Sequence, residues 1–348
     1  MTGATREQPA DVPEAAAARF EGRAMGSPLR LTMAGGASGH DRVAAGRALA
    51  GADAATLATL AAWSTVVDEF ETAEAAMSRF RDDSELTILN RSAGSGTAVP
   101  VSPRLRRALV AADRARRVTG GRFDPRVVAD LDRLGYRGAP IGIESAPPEA
   151  GIDNVGRPQP DEAVLERIGR DRIAIARPID LGGIGKGLTL RWAAARLVDG
   201  GTSDLLLEAG GDLVALGRSP DGGPWQVAVE DPAGGDGPLA VIGVTGLAVA
   251  TSSTRVHRWV VDGRSVHHLL DPRTGEPVDA GLAAVTVAGP DPAWAEVWSK
   301  VLFLGGSAGI ADEARSRGLA AWWVDDHGAL EMTPAARALT GWVAAEAR

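Results

Sequence analysis

The segment DLGGIGKGL at residues 180–188, here called the glycine loop, constrains this chain more than any other stretch. It follows a short apolar run, RIAIARPID, and precedes a helical pattern, LTLRWAAARLV. A glycine-rich turn between a strand and a helix exposes backbone N–H groups and a helix N-terminus, and both favour a bound anion. The loop contains Lys186, although only two of the 37 basic residues are lysines, Lys186 and Lys300. Because an ammonium is a compact point charge, we interpret the loop as a phosphate-binding segment.

Two common nucleotide-binding motifs do not match the glycine loop. A P-loop requires G-x-x-x-x-G-K-[ST], but the chain has Asp180 at the first position and Gly187 after the lysine. The Rossmann motif G-x-G-x-x-G fails because Leu190 stands where the third glycine belongs. One alternative stays open: a tight turn whose glycines serve only the backbone conformation, followed by an ordinary lysine at a helix start.

The composition is that of a globular protein, and it narrows the possible partners. Apolar residues make up 45% and charged residues 24% of the 348 residues, which is the ordinary range for folded domains. A net charge of −8 argues against nucleic acid or an acidic membrane as a partner. The chain has no cysteine, which excludes disulfides, thiolate metal sites and a cysteine nucleophile.

The N-terminal residues and the apolar runs bear on the cellular compartment of the protein. Residues 1–22 mix Arg, Glu and Asp without an apolar core, so they do not resemble a signal peptide and are interpreted as a flexible leader. No apolar run approaches the roughly 20 residues of a membrane span. We therefore expect a cytoplasmic protein without a membrane span, in which residues 23–348 form a single domain.

Helical and strand patterns are interspersed along the chain. A long amphipathic helix is predicted at residues 54–77, and loops are predicted at 35–53 and 137–162. Further helix starts are marked by a capping residue before proline, at residues 102–103, 291–292 and 333–334. The strand candidates are PLRLTM, SDLLLEA, WQVAVE, LAVIGVTGLAVATS, RWVV, VHHLL, AAVTVAG and AAWWV. The lack of strict alternation predicts an α+β fold with mainly antiparallel sheets packed against helices.

Seven further segments accompany the glycine loop in a fixed order: AMGSPLRLTM (24–33), MSRFRDDSELTILN (77–90), GGRFDPRV (120–127), LLLEAGGDL (205–213), ATSST (250–254), HHLLDPRTGEPVD (267–279) and AEVWSKVLFLGG (295–306). Together they resemble the ApbE family of FAD:protein FMN transferases over residues 22–325. The resemblance implies an ApbE-like, T-fold-like architecture. It also implies an enzyme that binds FAD and Mg²⁺ and transfers FMN to a Thr or Ser of a target flavoprotein with an FMN-binding-type domain, releasing AMP.

The resemblance extends to individual residues. His268, in the family's H-x-x-D-P-x-T-G run, matches a candidate general base, and an ordinary histidine pKa of roughly 6.5 suits that role. The carbonyl of Gly183 matches a metal-facing position, while Asp271 and Thr274 are expected to shape the turn after the strand. The residues that match FAD contacts are Met25, Phe80, Arg122, Phe123, Asp124, Asp180, Lys186, Thr251 and Ser252.

Several of these assignments have an ordinary structural alternative. Without the family context, His268 fits a hydrogen-bonded core histidine, and Phe80 and Met25 fit core positions. His267 is expected on the opposite face of the strand from His268, because successive side chains alternate. Arg122 replaces a small residue of the family's A-F-D segment, so its side chain is expected to make contacts that the family's residue does not make.

The second metal segment departs from the family pattern A-D-A-x-x-T, whose Asp and Thr bind Mg²⁺. This chain has Glu296 and Lys300 at those two positions, and an ammonium cannot coordinate a cation. One interpretation is an exposed i, i+4 helix pair worth about 0.2–0.5 kcal/mol. The other is that Lys300 replaces part of the metal's charge beside the FAD phosphates. We favour the second, which predicts a reduced Mg²⁺ requirement and places Lys186 and Lys300 around one diphosphate.

Two other functions are compatible with the same residues. If water replaced the target hydroxyl, the chain would be a FAD pyrophosphatase that yields FMN and AMP. Lys300 also leaves open a degenerate member that binds FAD or another adenine nucleotide without catalysis. The release of AMP from FAD alone distinguishes the first of these functions from the second.

Overall fold

The computed structural model describes residues 17–35, 53–136, 158, 162–168, 170–255, 257–261 and 263–345. The loops predicted at 35–53 and 137–162 lie almost entirely outside these ranges. Among the described residues, no helix combines the length and the apolar character that crossing a lipid bilayer requires.

The described residues form strands and helices in mixed order. The strands are β1 (Ala17–Ala24), β2 (Ser27–Ala34), β3 (Val99–Pro100), β4 (Glu166–Ile168), β5 (Arg172–Ala174), β6 (Leu205–Ala209), β7 (Asp212–Leu216), β8 (Trp225–Val229), β9 (Ala240–Val244), β10 (Leu247–Ser253), β11 (Arg258–Val261), β12 (Arg264–His267), β13 (Leu270–Asp271), β14 (Glu276–Pro277), β15 (Leu282–Gly289), β16 (Ala320–Asp325), β17 (Leu330–Met332) and β18 (Thr340–Val343). The helices are α1 (Ala54–Met77), α2 (Glu85–Arg91), α3 (Pro103–Val118), α4 (Val128–Arg133), α5 (Gly185–Asp199), α6 (Pro292–Gly305), α7 (Ser307–Ser316) and α8 (Pro334–Arg337).

Helix capping explains why the predicted helices begin where they do. The side chains of Asp53, Ser102, Asp291 and Thr333 accept hydrogen bonds from backbone N–H groups in the first turns of α1, α3, α6 and α8. Such caps satisfy donors that have no partner inside the helix. The helix predicted at 54–77 coincides with α1, and the three starts predicted from a residue before proline are confirmed.

One antiparallel sheet organises the fold. Within the described residues it has the strand order β1-β2-β6-β7-β10-β15-β16-β17, and every pair of neighbours is antiparallel. Smaller sheets pair β18-β9-β8, β3-β5-β4, β11-β12 and β13-β14. The predicted α+β class with mainly antiparallel sheets is confirmed.

Both faces of the large sheet are buried, because alternate residues of its strands enter different cores. On β15 and β16, Val285 and Trp323 pack with the helices, whereas Trp322 and Val324 pack with the three-stranded sheet β18-β9-β8. Full burial of such a side chain contributes about 1.5–3 kcal/mol relative to exposure. The resulting layers hold α5 and α6 rigidly against the sheet, and these two helices contribute the candidate site.

The N-terminal boundary differs from the prediction. Strand β1 begins at Ala17, which pairs with Ala34, and the side chain of Ala18 is buried. Residues 17–22 therefore belong to the sheet and not to a flexible leader, because pairing with β2 satisfies their backbone groups. Residues 1–16 lie outside the described part of the chain, and the single domain over 23–348 stays a prediction.

The backbones of α5 and α6 come close together at Gly187, and we expect its replacement by alanine to destabilise the fold. A Cβ atom at Gly187 would lie 2.5 Å from the Pro292 oxygen and 2.6 Å from the Ala293 Cα atom. Both are backbone atoms that cannot rotate away, so the free energy of unfolding should fall by about 1–3 kcal/mol or more. Urea unfolding measures this. Gly309→Ala is the control, because nothing lies within 4 Å of a Cβ there, and equal stability of the two variants would contradict the expectation.

Candidate active site

The glycine loop leads directly into α5, and a distant glutamate caps its first turn. Asp180 N donates to Pro125 O at 2.7 Å and Gly185 N donates to Leu181 O at 2.7 Å, which fixes the two ends of the turn. The residue before α5 provides no side-chain cap. Instead, Gly187 N donates to Glu296 Oε2 at 2.8 Å. The loop therefore depends on a carboxylate from α6, 109 residues further along the chain.

Lys186 joins α5 to two buried carboxylates. Its Nζ atom contacts Asp212 Oδ2 and lies 3.1 Å from Glu296 Oε1. Burial acts to lower the pKa of Lys186, but the charges of Asp212 and Glu296 outweigh it and raise that pKa above its ordinary value. Asp212 Oδ1 also accepts from Thr251 N at 3.2 Å. Lys186 is therefore a permanent cation that links α5, α6, β7 and β10.

Lys300 reaches the same site from α6. A Cβ atom built on Gly183 would lie 3.3 Å from Lys300 Cε and 2.9 Å from Phe123 Cε2, so the lysine stem and the phenylalanine ring both press on this glycine. Burial lowers the pKa of Lys300, and Glu296, Asp212 and other nearby charges modify it. The two lysines of the chain, 114 positions apart, thus lie in one cluster, and that they surround one diphosphate stays a prediction.

Glu296 is not part of an exposed helix pair. Its side chain is only 2% exposed, and its two oxygens accept from Lys186 Nζ and Gly187 N. Burial acts to raise the pKa of Glu296, and the ammonium groups of Lys186 and Lys300 oppose this. The helix-pair interpretation of Glu296 and Lys300 is therefore wrong, because the carboxylate takes its partners from α5.

A cluster of aromatic rings and histidines adjoins the lysines. The His268 ring lies 5.0 Å from the His257 ring and 6.3 Å from the Tyr136 ring, and Tyr136 also contacts Trp259 at 5.2 Å. The Nδ1 atoms of His257 and His268 are buried and have no hydrogen-bond partner among the described residues. Burial lowers the pKa of both histidines, that of His268 well below 6.5, and Lys300 adds to the effect.

His267, the last residue of β12, and His268, just beyond that strand, have different neighbours. The His267 ring contacts Phe303 at 6.4 Å, and its Nδ1 atom accepts from Leu269 N at 3.3 Å. His268, the next residue, instead faces Tyr136 and His257. His268 is therefore the histidine on the same side as the lysines.

Arg79 connects the glycine loop to the aromatic cluster. Its Nε atom lies 2.5 Å from Asp180 Oδ2, and its guanidinium lies over the rings of Phe80 at 4.4 Å and Tyr136 at 5.4 Å. The Phe80 ring is 54% exposed, which leaves its outer face available for stacking. The core alternative for Phe80 is therefore excluded.

Met25 forms the turn between β1 and β2 and packs on the glycine loop. Its φ of +49° and that of Gly26, +72°, fit a two-residue hairpin turn of the type that needs left-handed backbone at both positions. A methionine in this conformation is uncommon and costs about 1–3 kcal/mol. Its sulfur accepts from Thr189 Oγ1 at 3.8 Å, and its Cε atom approaches Gly185.

The profile of the ApbE family matches residues 25–323 of the chain. The chain belongs to the ApbE family. It is 28% identical to the FAD:protein FMN transferase of Haemophilus influenzae over 268 residues, which cover 72% of this chain and 74% of that protein.

Solved ApbE structures share the fold of this chain. The ApbE protein of Thermotoga maritima has a TM-score of 0.76 at 23% identity and covers 93% of this chain and 99% of its own. The apo form of the flavinyl transferase ApbE from Pseudomonas stutzeri has a TM-score of 0.72 at 24% identity, covering 94% and 98%. The predicted family and ApbE-like architecture are confirmed.

Two residues that match ApbE flavin contacts, Arg122 and Asp124, form ion pairs with other parts of the protein. Arg122 contacts Glu313 through both guanidinium nitrogens, and Arg122 lowers the pKa of that glutamate through a hydrogen bond. Asp124 is buried, 2.7 Å from Arg126 Nη2 and 3.4 Å from Arg116 Nε. Their roles as FAD contacts stay predictions.

Thr251 and Ser252 lie on β10 at the edge of the site. Thr251 Oγ1 is 2.8 Å from Thr286 Oγ1 across the sheet, and its backbone N–H reaches Asp212. Ser252 Oγ is 2.9 Å from Ser299 Oγ on α6 and is buried. Thr251 is thus coupled to the Lys186 network, whereas Ser252 fastens β10 to α6.

The ApbE resemblance implies Mg²⁺, and the residues present do not fit it. Among the described residues, no group of three His, Asp or Glu side chains is arranged to hold a metal ion. Each oxygen of Glu296 already accepts from a donor, and Lys300 occupies the helix position one turn further on. A dication would meet the amino groups of Lys186 and Lys300 beside two carboxylates, Asp212 and Glu296, that already contact Lys186, and the nearby Asp180 is paired with Arg79.

Four residues of the site were not predicted from the sequence: Arg79, Tyr136, Asp212 and His257. Asp212 stands in the segment LLLEAGGDL, whose glycine pair marked a turn without indicating a role for the acid. Tyr136 is the only tyrosine of the chain, so its rarity could have indicated it as the rarity of lysine indicated Lys186 and Lys300. Arg79 is one of many arginines, and His257 stands in no recognisable motif.

Proposed function

We propose that this chain is a FAD:protein FMN transferase, which moves the FMN half of FAD onto a hydroxyl of a target protein. Membership of the ApbE family and the name of the Haemophilus relative support the activity. The observation that carries the proposal is the meeting of both lysines at a glycine loop, next to a histidine with a buried, unpartnered nitrogen. Phosphoryl transfer depends on positioning and charge neutralisation, and such a site provides both.

The reaction is a single displacement at phosphorus. The target hydroxyl oxygen forms a bond to the phosphorus of the FMN phosphate, and the bond from that phosphorus to the bridging oxygen breaks. AMP leaves with the bridging oxygen, and His268 receives the hydroxyl proton. Lys186 and Lys300 stabilise the negative charge that accumulates on the phosphate oxygens and on the leaving group.

His268 is suited to be the base because it is neutral. Burial, reinforced by the charge of Lys300, lowers its pKa well below 6.5, so an imidazole with a lone pair is present at neutral pH. The Tyr136 ring, inclined by 23° at 6.3 Å, holds the imidazole in place. Proton transfer to a positioned base contributes about 10²–10⁴-fold to the rate.

The flavin ring is expected to stack on the exposed face of Phe80. Arg79 supports the opposite face of this ring, and Tyr136 meets its edge at 6.0 Å. The target is proposed to be a flavoprotein with an FMN-binding-type domain and a Thr or Ser acceptor, located in the cytoplasm. No step passes through Mg²⁺, because Glu296 and Lys300 do not form a site for it.

The activity is tested by incubating the protein with FAD and an FMN-binding-type acceptor domain in EDTA. The proposal expects an acceptor mass increased by one FMN and an equimolar amount of AMP. A control acceptor with alanine at its Thr or Ser should remain unmodified. AMP without acceptor modification would instead indicate a FAD pyrophosphatase, and bound FAD that is never consumed would indicate a non-catalytic binder.

On the acid side of the pH profile, transfer activity should be lost at a pH below the ordinary histidine pKa. A base acts in its deprotonated form, so activity is lost as the pH falls through its pKa, and a lowered pKa moves this loss to lower pH. Removing the charge in Lys300→Met should move this loss back towards pH 6.5. The pH profile of kcat/KM measures this shift independently of the absolute rate. A loss of activity at the same pH in both proteins would contradict the role of Lys300 in setting the pKa of His268.

A further inference from the structure

Lys186 and Lys300 differ in whether protein carboxylates neutralise them. Lys186 contacts Asp212 and Glu296 directly. For Lys300 Nζ, no carboxylate oxygen of the described residues lies within the 4.0 Å limit of an ion pair. Lys186 thus forms ion pairs with protein carboxylates. Lys300 forms none with the described residues, so its amino group is available to an anionic ligand.

The glycine loop is shaped to let the Lys300 stem pass. A Cβ atom on Gly183 would meet Phe123 at 2.9 Å and the Lys300 Cε and Cδ atoms at 3.3 and 3.4 Å. Any larger residue at 183 would therefore displace the lysine or the ring. The stem lies over the loop backbone, and the ammonium is close enough to the two histidines to lower the pKa of His257 and His268. Lys300 thus lies against the glycine loop and near both histidines.

The charges of the cluster already balance without a metal ion. Asp212 and Glu296 supply two carboxyl groups and Lys186 and Lys300 two amino groups, while Asp180, which also acts on Lys300, is paired with Arg79. A dication at Glu296 would add two further positive charges next to both ammonium groups, which like-charge repulsion disfavours. A diphosphate, in contrast, brings negative charge to the ammonium that has no carboxylate contact.

We propose that the Lys300 ammonium, in place of a metal ion, is the cation that receives the FAD diphosphate, and that it excludes Mg²⁺ from Glu296. This inference rests on the proposed function for its ligand, FAD. It distinguishes the two lysines: Lys186, besides adding its charge near the phosphates, fixes the loop and α6 through Asp212 and Glu296, while Lys300 makes the direct contact with the diphosphate. A divalent cation is then unnecessary for FAD binding and for transfer.

The experiment compares the wild type with Lys300→Thr and Lys300→Met. Thr shortens the side chain and supplies an oxygen next to Glu296, whereas Met keeps the length and supplies neither charge nor an oxygen ligand. Melting temperatures with EDTA and with about 10 mM Mg²⁺ report metal binding directly and do not depend on any activity. Flavin fluorescence in EDTA reports FAD affinity, and AMP release reports the reaction.

The wild type is expected to melt at the same temperature with EDTA and with Mg²⁺ and to bind FAD equally in both. In EDTA, Lys300→Thr should bind FAD at least about tenfold more weakly than the wild type. Mg²⁺ should raise the melting temperature of this variant by at least about 2 °C and restore its FAD binding. Lys300→Met should lose FAD affinity without recovery, and an EDTA melting temperature near that of the wild type shows that it folds.

Two results would overturn the inference: a wild type whose melting temperature rises with Mg²⁺ and whose FAD affinity falls in EDTA, or a folded Lys300→Met that binds FAD as tightly as the wild type. Failure of the proposed function looks different. In that case FAD binds and responds to Lys300 as described, but neither AMP nor modified acceptor is formed.

Discussion

Lys186→Met is expected to abolish FMN transfer and to lower the free energy of unfolding by about 3–5 kcal/mol. Asp212 and Glu296 are almost fully buried, and Lys186 is the cation that contacts both. Its removal leaves two carboxylates repelling each other in a medium that solvates them poorly. The glycine loop then keeps only the Gly187 N–Glu296 hydrogen bond to α6 and loses the charge of Lys186, so transfer should fall by at least about 10²-fold even at temperatures where the variant is folded.

A double variant separates the structural part of this effect from the chemical part. Adding Asp212→Asn to Lys186→Met removes one of the two unpaired charges, and the amide oxygen can still accept from Thr251 N. We expect most of the stability to return in urea unfolding, while transfer stays low because the point charge is missing. Lys186→Arg should have a stability and a transfer activity between those of the wild type and Lys186→Met. Arginine keeps the positive charge, but its planar guanidinium cannot occupy the place of a compact ammonium. A stable, fully active Lys186→Met would contradict the described network.

His268→Asn is expected to reduce kcat for FMN transfer by about 10²–10⁴-fold with little change in FAD affinity. The residue faces Tyr136 and His257, and its Nδ1 atom has no partner among the described residues, so its loss costs the fold little. In the proposed mechanism His268 takes the acceptor proton, which affects the chemical step and not the binding of FAD.

His267→Asn is the matched control for His268→Asn. The two histidines are adjacent in sequence but contact different rings, and an asparagine oxygen at 267 can accept from Leu269 N as the histidine does. We expect His267→Asn to retain transfer within about threefold, well inside the difference expected for His268→Asn. Single-turnover transfer and flavin fluorescence titration separate kcat from FAD affinity. Equal losses in both variants would show that His268 acts only through the fold.

Local signals made much of this fold predictable from the sequence. The helix at 54–77 is long and periodic, and the starts of α3, α6 and α8 combine a capping side chain with a following proline. These features act within a few residues, so the sequence shows them directly. The leader boundary was wrong because β1 is held by pairing with β2, and its own pattern is weak.

The site was predictable only where a residue stood in a recognisable segment or was rare. Lys186 and Lys300 stood out because the chain uses arginine almost everywhere else, and His268 stood in a recognisable run. Partnerships across long sequence separations could not be predicted. The helix-pair alternative placed Glu296 with Lys300 one turn away, whereas the lysine that Glu296 contacts is Lys186, 110 positions distant.

The same limit explains the arginine at position 122. It was expected to do something new, but its partner, Glu313, is 191 positions away and has no distinguishing context in the sequence. Asp212 and Tyr136 were missed for the same reason, because each acquires its role from neighbours that only the folded sheet and helices bring together. The burial of a side chain and the charges around it depend on residues from several segments, so no single segment of the sequence shows them.

The most direct test of this account is a crystal structure of the protein with FAD, grown in EDTA. The account predicts the diphosphate within hydrogen-bonding distance of Lys300 Nζ, at the N-terminus of α5, with the flavin on Phe80 and no metal at Glu296. A diphosphate bound away from Lys300, or one that appears only when Mg²⁺ is supplied and coordinated by Glu296, would contradict it.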